Sequence, residues 1–124
     1  MILFNRIYVG LSNSSGGYSP LPYQDTHHSL ANSTASLLAD VSGEGRKDLI
    51  WNDHTTSTNQ IIVGLATPDG IFDFSQAGLG QIHPVETNWN QFTVFTGDIT
   101  GDGREDIIWN HPDADNRIYV GLAK

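Results

Sequence analysis

The sequence has no cysteine in its 124 residues. That removes disulfide scaffolds, thiolate metal sites and cysteine nucleophiles. It is also short of basic side chains: six Lys and Arg stand against 14 Asp and Glu, a formal net charge of −8. Nucleic-acid phosphates and anionic membranes both ask for a basic face, so no nucleic-acid partner is expected. No apolar run approaches the roughly 18 residues that span a bilayer, and no membrane insertion is expected. The opening Met1-Ile-Leu-Phe4 is too short and lacks the basic flank of a signal peptide. Helical periodicity is missing throughout.

What is present is 13 glycines among abundant Asn, Ser, Thr and Asp, the composition of many short strands joined by turns. The length suits one domain with a moderate core. An acidic surface suits the collection of cations, although it also serves solubility.

The chain repeats itself. Asn5-Arg-Ile-Tyr-Val-Gly-Leu11 returns as Asn59-Gln-Ile-Ile-Val-Gly-Leu65 and again as Asn116-Arg-Ile-Tyr-Val-Gly-Leu122. Between these copies, Asp40-Val-Ser-Gly-Glu-Gly-Arg-Lys-Asp-Leu-Ile-Trp-Asn52 matches Asp98-Ile-Thr-Gly-Asp-Gly-Arg-Glu-Asp-Ile-Ile-Trp-Asn110. Two elements alternate strictly at intervals of roughly 55 residues, a length that fits one four-stranded β-propeller blade better than a helical repeat.

Four strands per repeat are predicted. Gln91–Gly97 alternates and leads into the acidic loop, Asp106–Trp109 leaves it as an apolar run, and Arg117–Leu122 follows a polar turn. In the preceding repeat Gly70–Ser75 supplies the fourth strand after the Pro68-Asp-Gly70 turn, and Ser14–Gly17 is the equivalent turn in the first repeat. Numbered from the hub outwards, the strands run 3-4, 1-2-3-4, 1-2-3. The fold class expected is all-β: propeller blades of four antiparallel strands, about two blades per chain. The whole chain reads as a single propeller segment, with repeat one at about 5–58, repeat two at about 59–115 and a partial third copy at 116–124. A blade buries its faces only against other blades, so the chain is expected to associate with itself, as a trimer or tetramer closing a ring.

The acidic loop carries the clearest chemistry. Asp98, Thr100, Asp102 and Asp106 hold positions 1, 3, 5 and 9 of a nine-residue turn, with Gly101 and Gly103 to bend it and the Arg104 carbonyl beside them. Calcium takes six to eight hard oxygen ligands, and alternate residues of such a turn supply them. Crowded carboxylates repel one another without a cation, a physical reason to expect one. In the other copy Asp40, Ser42, Glu44 and Asp48 hold the same positions, with the carbonyl of Arg46 beside them. Glu44 is the departure, because its extra methylene pushes the carboxylate about 1.5 Å further out in a tight loop.

With these residues the chain resembles the integrin-type FG-GAP and VCBS repeats, through Gly97–Asn110 and the Tyr-Val-Gly-Leu strand that follows. The resemblance covers nearly the whole chain. It implies a calcium-loaded propeller in which the loop joins strands one and two of a blade, with the ion structural rather than catalytic. It also implies an extracellular or cell-surface setting.

Trp51 and Trp109 occupy equivalent positions, each followed by an asparagine, Asn52 and Asn110. As sugar-stacking platforms the rings would carry a sugar while the amides bond its hydroxyls. Their place inside apolar strands favours packing between blades instead. Trp89 differs: it lies in a polar stretch with His83 and Asn90, the better candidate for an exposed ligand site. His27, His28, His54, His83 and His111 show neither metal-ligand spacing nor a nucleophile pattern, and they read as solvated loop side chains. Asn13-Ser-Ser and Asn32-Ser-Thr are glycosylation sequons.

Three classes of function follow. A glycan-binding, lectin-like propeller would gain avidity from its repeats. A non-catalytic adhesion or scaffold segment of a larger repeat protein is the alternative. An enzyme is not expected, because no acid–base pair, nucleophile or catalytic metal set emerges.

Overall fold

The computed structural model describes residues 6–26, 35–54, 59–75, 80–81, 91–111 and 117–124. Every element of regular structure along these stretches is a β-strand, and every pairing between them is antiparallel.

The first stretch makes two small pairs. β1 (Arg6–Ile7) pairs with β4 (Gln24–Asp25), and β2 (Gly10–Ser12) pairs with β3 (Tyr18–Pro20). The turn between β2 and β3 is closed by Asn13, whose Oδ1 accepts the amides of Ser15 at 3.1 Å and Gly17 at 3.0 Å. An asparagine that bonds its own backbone two residues on is the common device for such a reversal.

A larger sheet follows, built from β5 (Ala35–Ala39), β6 (Asp48–His54), β7 (Asn59–Ala66), β8 (Phe72–Asp73) and β9 (Gly80–Gln81). β5, β6 and β7 run in hairpin order, and β8 and β9 both pair with β7. The expected fourth strand is thus made of two short pieces along one edge. The expected third and fourth strands of the first repeat are divided in the same way, into β1 with β2 and β3 with β4. The second large sheet orders β10 (Thr93–Gly97), β11 (Asp106–His111) and β12 (Arg117–Gly121). Among the described residues no sheet closes into a barrel.

The two large sheets pack face to face. In β6 and β7, Ile50 lies opposite Val63 and Asn52 opposite Ile61. In the second sheet Trp109 lies between Val94 and Tyr119. Alternation along each strand puts these side chains on one face. Together with Ala39, Phe92 and Ile107 they form the core between the sheets. At its centre Trp109 is fully buried and its Nε1–H donates to Oδ1 of Asn52 at 3.2 Å, itself fully buried. A buried indole N–H needs such an acceptor, and the asparagine of the neighbouring repeat supplies it.

Trp51, the equivalent of Trp109, points in the same direction and therefore away from the joint. It lies on the side of the first sheet that looks away from the second and stacks on Phe74, with ring centroids 5.2 Å apart. Each sheet therefore carries a tryptophan on one face and an asparagine on the other, and the joint brings together unlike faces.

Candidate functional site

Among the described residues the two acidic loops hold a dense set of side-chain-to-backbone hydrogen bonds, and they are built alike. Asp98 caps its own loop: Oδ1 accepts the amides of Gly101 at 2.7 Å and Asp102 at 3.2 Å, and Oδ2 accepts that of Gly103 at 2.9 Å. Asp40 does the same for Gly43, Glu44 and Gly45 at 2.8, 3.1 and 2.6 Å. Gly101 and Gly103 stand at φ of 75° and 87°, and Gly43 and Gly45 at 79° and 88°. Only a residue without Cβ takes that backbone freely, so both glycines of each loop are needed for its shape.

The ninth-position carboxylates have a different task. Asp106 and Asp48 are fully buried or nearly so. Oδ2 of Asp106 accepts the Ile99 amide at 3.0 Å while Oδ1 accepts the amide of Ala123, just past β12, at 2.9 Å. Asp48 likewise accepts Val41 at 3.0 Å and Ser42 at 3.3 Å with one oxygen and Ala66 at 2.8 Å with the other. Each thus ties the loop to the end of the third strand of its own sheet.

Position 5 is spoken for by position 7. Asp102 accepts the amide of Arg104 at 3.0 Å and its guanidinium at 2.8 and 3.2 Å. In the first loop Glu44 pairs with the Arg46 guanidinium, whose Nε donates to the carbonyl of Ala66 at 3.0 Å. The repulsion expected of crowded carboxylates is met here by amide hydrogens and arginines.

As a calcium site the loops fit in donor chemistry: Asp98, Thr100, Asp102 and the Arg104 carbonyl are hard oxygens on an exposed turn. As placed, the described residues bring no three acidic or histidine side chains together.

The loops also touch each other. The Glu105 amide donates to the Asp40 carbonyl at 2.8 Å, and the Asp40 amide donates to Oε1 of Glu105 at 3.0 Å. Lys47 reaches the same carboxylate. Sequence reasoning passed over this pair, yet it left a signal: Lys47 and Glu105 hold the same loop position in successive repeats with opposite charge.

The Asp40 amide, followed by Lys47, holds the Glu105 carboxyl below the ordinary glutamate range. Burial works against ionisation of Asp40, but the amides of Gly45, Gly43 and Glu44 outweigh it and the net direction is also downward. A carboxyl lowered by folding stabilises above its unfolded value, and that contribution is lost as pH falls through the folded one. The loop contact should therefore loosen as pH falls through and below the ordinary carboxylate range. Hydrogen exchange at the Glu105 amide should accelerate in that window beyond its intrinsic rate, and Glu105→Gln should flatten the acid-side change.

The remaining candidates scatter. Trp109 and Asn52 are buried in the joint and offer no face to a ligand; Trp51 is 5% exposed beneath Phe74. Asn110 is half-buried on the outward face of the second sheet. His111 is not a solvated loop residue: it sits in β11, buried edge-on against Phe92 with Nε2 3.3 Å from Oε1 of Gln91. The strand runs further than the apolar pattern suggested and takes the histidine with it. His54 ends β6. Trp89, Asn90, His83, His27 and His28 lie outside the described residues.

A family model described as an FG-GAP-like repeat matches residues 40–109, from the first residue of one acidic loop to the tryptophan after the other. No curated protein and no solved structure matches the chain.

Proposed function

Because the chain belongs to the FG-GAP-like repeat family, we propose that it is a non-catalytic interaction module, a calcium-stabilised piece of β-propeller whose ligand is a glycan. Each large sheet is then a blade, the acidic loop links its first and second strands, and copies of the chain associate to close a ring at the cell surface or outside the cell. The observation that carries this reading is the pair of acidic loops lying side by side, with Asp98, Thr100 and Asp102 exposed on one and Glu44 on the other.

Calcium at the Asp98 loop draws in Asp98, Thr100, Asp102, Asp106 and the Arg104 carbonyl. The Asp40 loop offers Asp40, Ser42, Glu44, Asp48 and the Arg46 carbonyl, with the longer Glu44 making it the weaker site. An ion that prefers the folded loop stabilises by mass action, about 2.7 kcal/mol at a hundredfold excess over Kd. Calcium should raise the melting temperature by on the order of 5–10 °C over chelator, and Asp102→Ala should remove most of the increment.

For the ligand, Trp89 with Asn90 and His83 is the proposed sugar platform. A glycan array with the intact chain and with Trp89→Ala tests it: binding lost in the variant, at an unchanged melting temperature, supports the lectin. Absence of glycan binding at any calcium level favours the second reading, a structural or adhesion scaffold. The burial of Trp109 and Asn52 already speaks for that one, since it assigns these conspicuous residues to packing.

A further inference from the structure

We propose that a second copy of this chain completes the second sheet by strand exchange: its residues 6–26 take the seat of β12 and add the fourth strand beyond it. The inference rests on reading the sheets as blades.

The two end units are complementary halves with one strand in common. In the first sheet, β7 is paired on one edge by β6 and on the other by β8 and β9. Its equivalent β12 pairs with β11, and among the described residues nothing lies along its outer edge. Residues 6–26 show the converse. β1 pairs with β4 at the same positions of its own strand at which β7 pairs with β9, Ile7 opposite Gln24 and Ile61 opposite Gly80, but the described residues give β1 no inner neighbour. One unit holds strands one to three, the other strands three and four.

The shared strand is interchangeable. Asn5–Leu11 and Asn116–Leu122 agree at all seven positions. Tyr119 packs against Phe92 with ring centroids 5.8 Å apart, whereas Tyr8, the same position of the same heptapeptide, is 71% exposed. At Gly121 a Cβ would come within 3.1–3.2 Å of the Trp109 ring, so this seat takes glycine, and Gly10 provides it. Asp106 accepts a backbone amide from Ala123, a donor that Ser12 supplies equally. The incoming strand thus offers the same residues at each of these contacts, while Tyr8 and Arg6 leave their contacts with Tyr23.

The gain lies in what arrives with it. Ile118 is 62% exposed and Val120 47%, on the outward face of the second sheet, although their counterparts Ile61 and Val63 in the first sheet belong to the buried joint. Residues 6–26 are anchored to the first sheet, with the Phe72 amide donating to Oε1 of Gln24 at 2.9 Å and Gly70 set against Leu11 and Leu21. Exchange therefore delivers the second copy's first sheet onto the exposed face, its Trp51 side leading. Asn110 then stands to that sheet as Asn52 stands to Trp109. The exposed Leu38 of the arriving sheet lies on the side that is covered. Shared edge strands of this kind are the low-cost route to domain-swapped assemblies.

Since the chain has no cysteine, pairs of introduced thiols report on strand neighbours without background. Asn110 lies directly opposite Ile118, and after exchange it lies opposite Ile7 of the second copy. Light scattering of the intact chain should give about three to four times the mass of one chain, the number of two-blade segments that closes a six- or eight-bladed ring. Under mild oxidation N110C with I7C should link chains covalently, and N110C with I118C should not close. An assembled particle in which N110C and I118C close within one chain overturns the exchange and leaves the blades standing. A chain that stays monomeric at every concentration but protects the Glu105 amide from hydrogen exchange also overturns the exchange alone. A monomer without that protection overturns the blade packing as well.

Discussion

Replacing Trp109 by alanine should cost about 3–5 kcal/mol of folding stability from lost packing alone. The ring is the largest fully buried side chain among the described residues, and it sits between the two large sheets rather than within one. Its removal also takes away the donor to Asn52 Oδ1, while Asn52 Nδ2 already has no partner among the described residues. An amide buried without partners adds roughly 1–3 kcal/mol. Set against the 5–15 kcal/mol that holds an ordinary domain together, this is enough to separate the sheets. Urea denaturation followed by far-ultraviolet circular dichroism measures the loss. Trp109→Phe, which keeps much of the volume but not the N–H, should fall between the variant and the parent. A loss below about 1 kcal/mol for alanine would mean that the sheets do not depend on this joint.

Asp106→Ala is the second large effect, expected at about 3 kcal/mol because two backbone amides lose a charged acceptor in a buried place. Asp106→Asn keeps one acceptor oxygen and should cost about half as much. The same measurement in chelator separates the two roles open to this residue. As the tie between the acidic loop and the end of β12, Asp106 is worth the same with and without calcium. As a metal ligand it loses its value when the ion is removed. The structure shows the tie, each oxygen holding a backbone amide, and a loss that vanished in chelator would overturn it as the source of the effect.

The repeat, the strands flanking each acidic loop and the special status of the two loops were all legible in the sequence. They depend on residues close together in the chain: a glycine where the turn needs positive φ, an aspartate capping the amides that follow it, a short apolar run bounded by polar turns. What was not legible depends on partners distant in sequence. Nothing local says that Asp106 reaches Ala123 or that Glu105 meets the Asp40 backbone. His111 resembles a loop histidine until Phe92 and Gln91 are brought to it. The tryptophans show the difference most plainly. Sequence makes Trp51 and Trp109 equivalents, and only packing reveals that one faces the neighbouring sheet and the other faces away from it.

That consecutive Trp-Asn pair gives the sheet a sense of direction. Neighbouring residues on a strand point to opposite sides, so a donor stands on one side and an acceptor on the other. In the joint between the two sheets a tryptophan side meets an asparagine side, and the Trp109–Asn52 bond uses one residue from each. A contact between copies that repeated this Trp-to-Asn joint would be heterologous, with a different surface on each side. Such a joint repeats with a constant rotation from one unit to the next, and the result depends on whether that rotation divides a full circle. Where it does, growth stops at a ring with a single cyclic axis; where it does not, the same contact winds on as a filament.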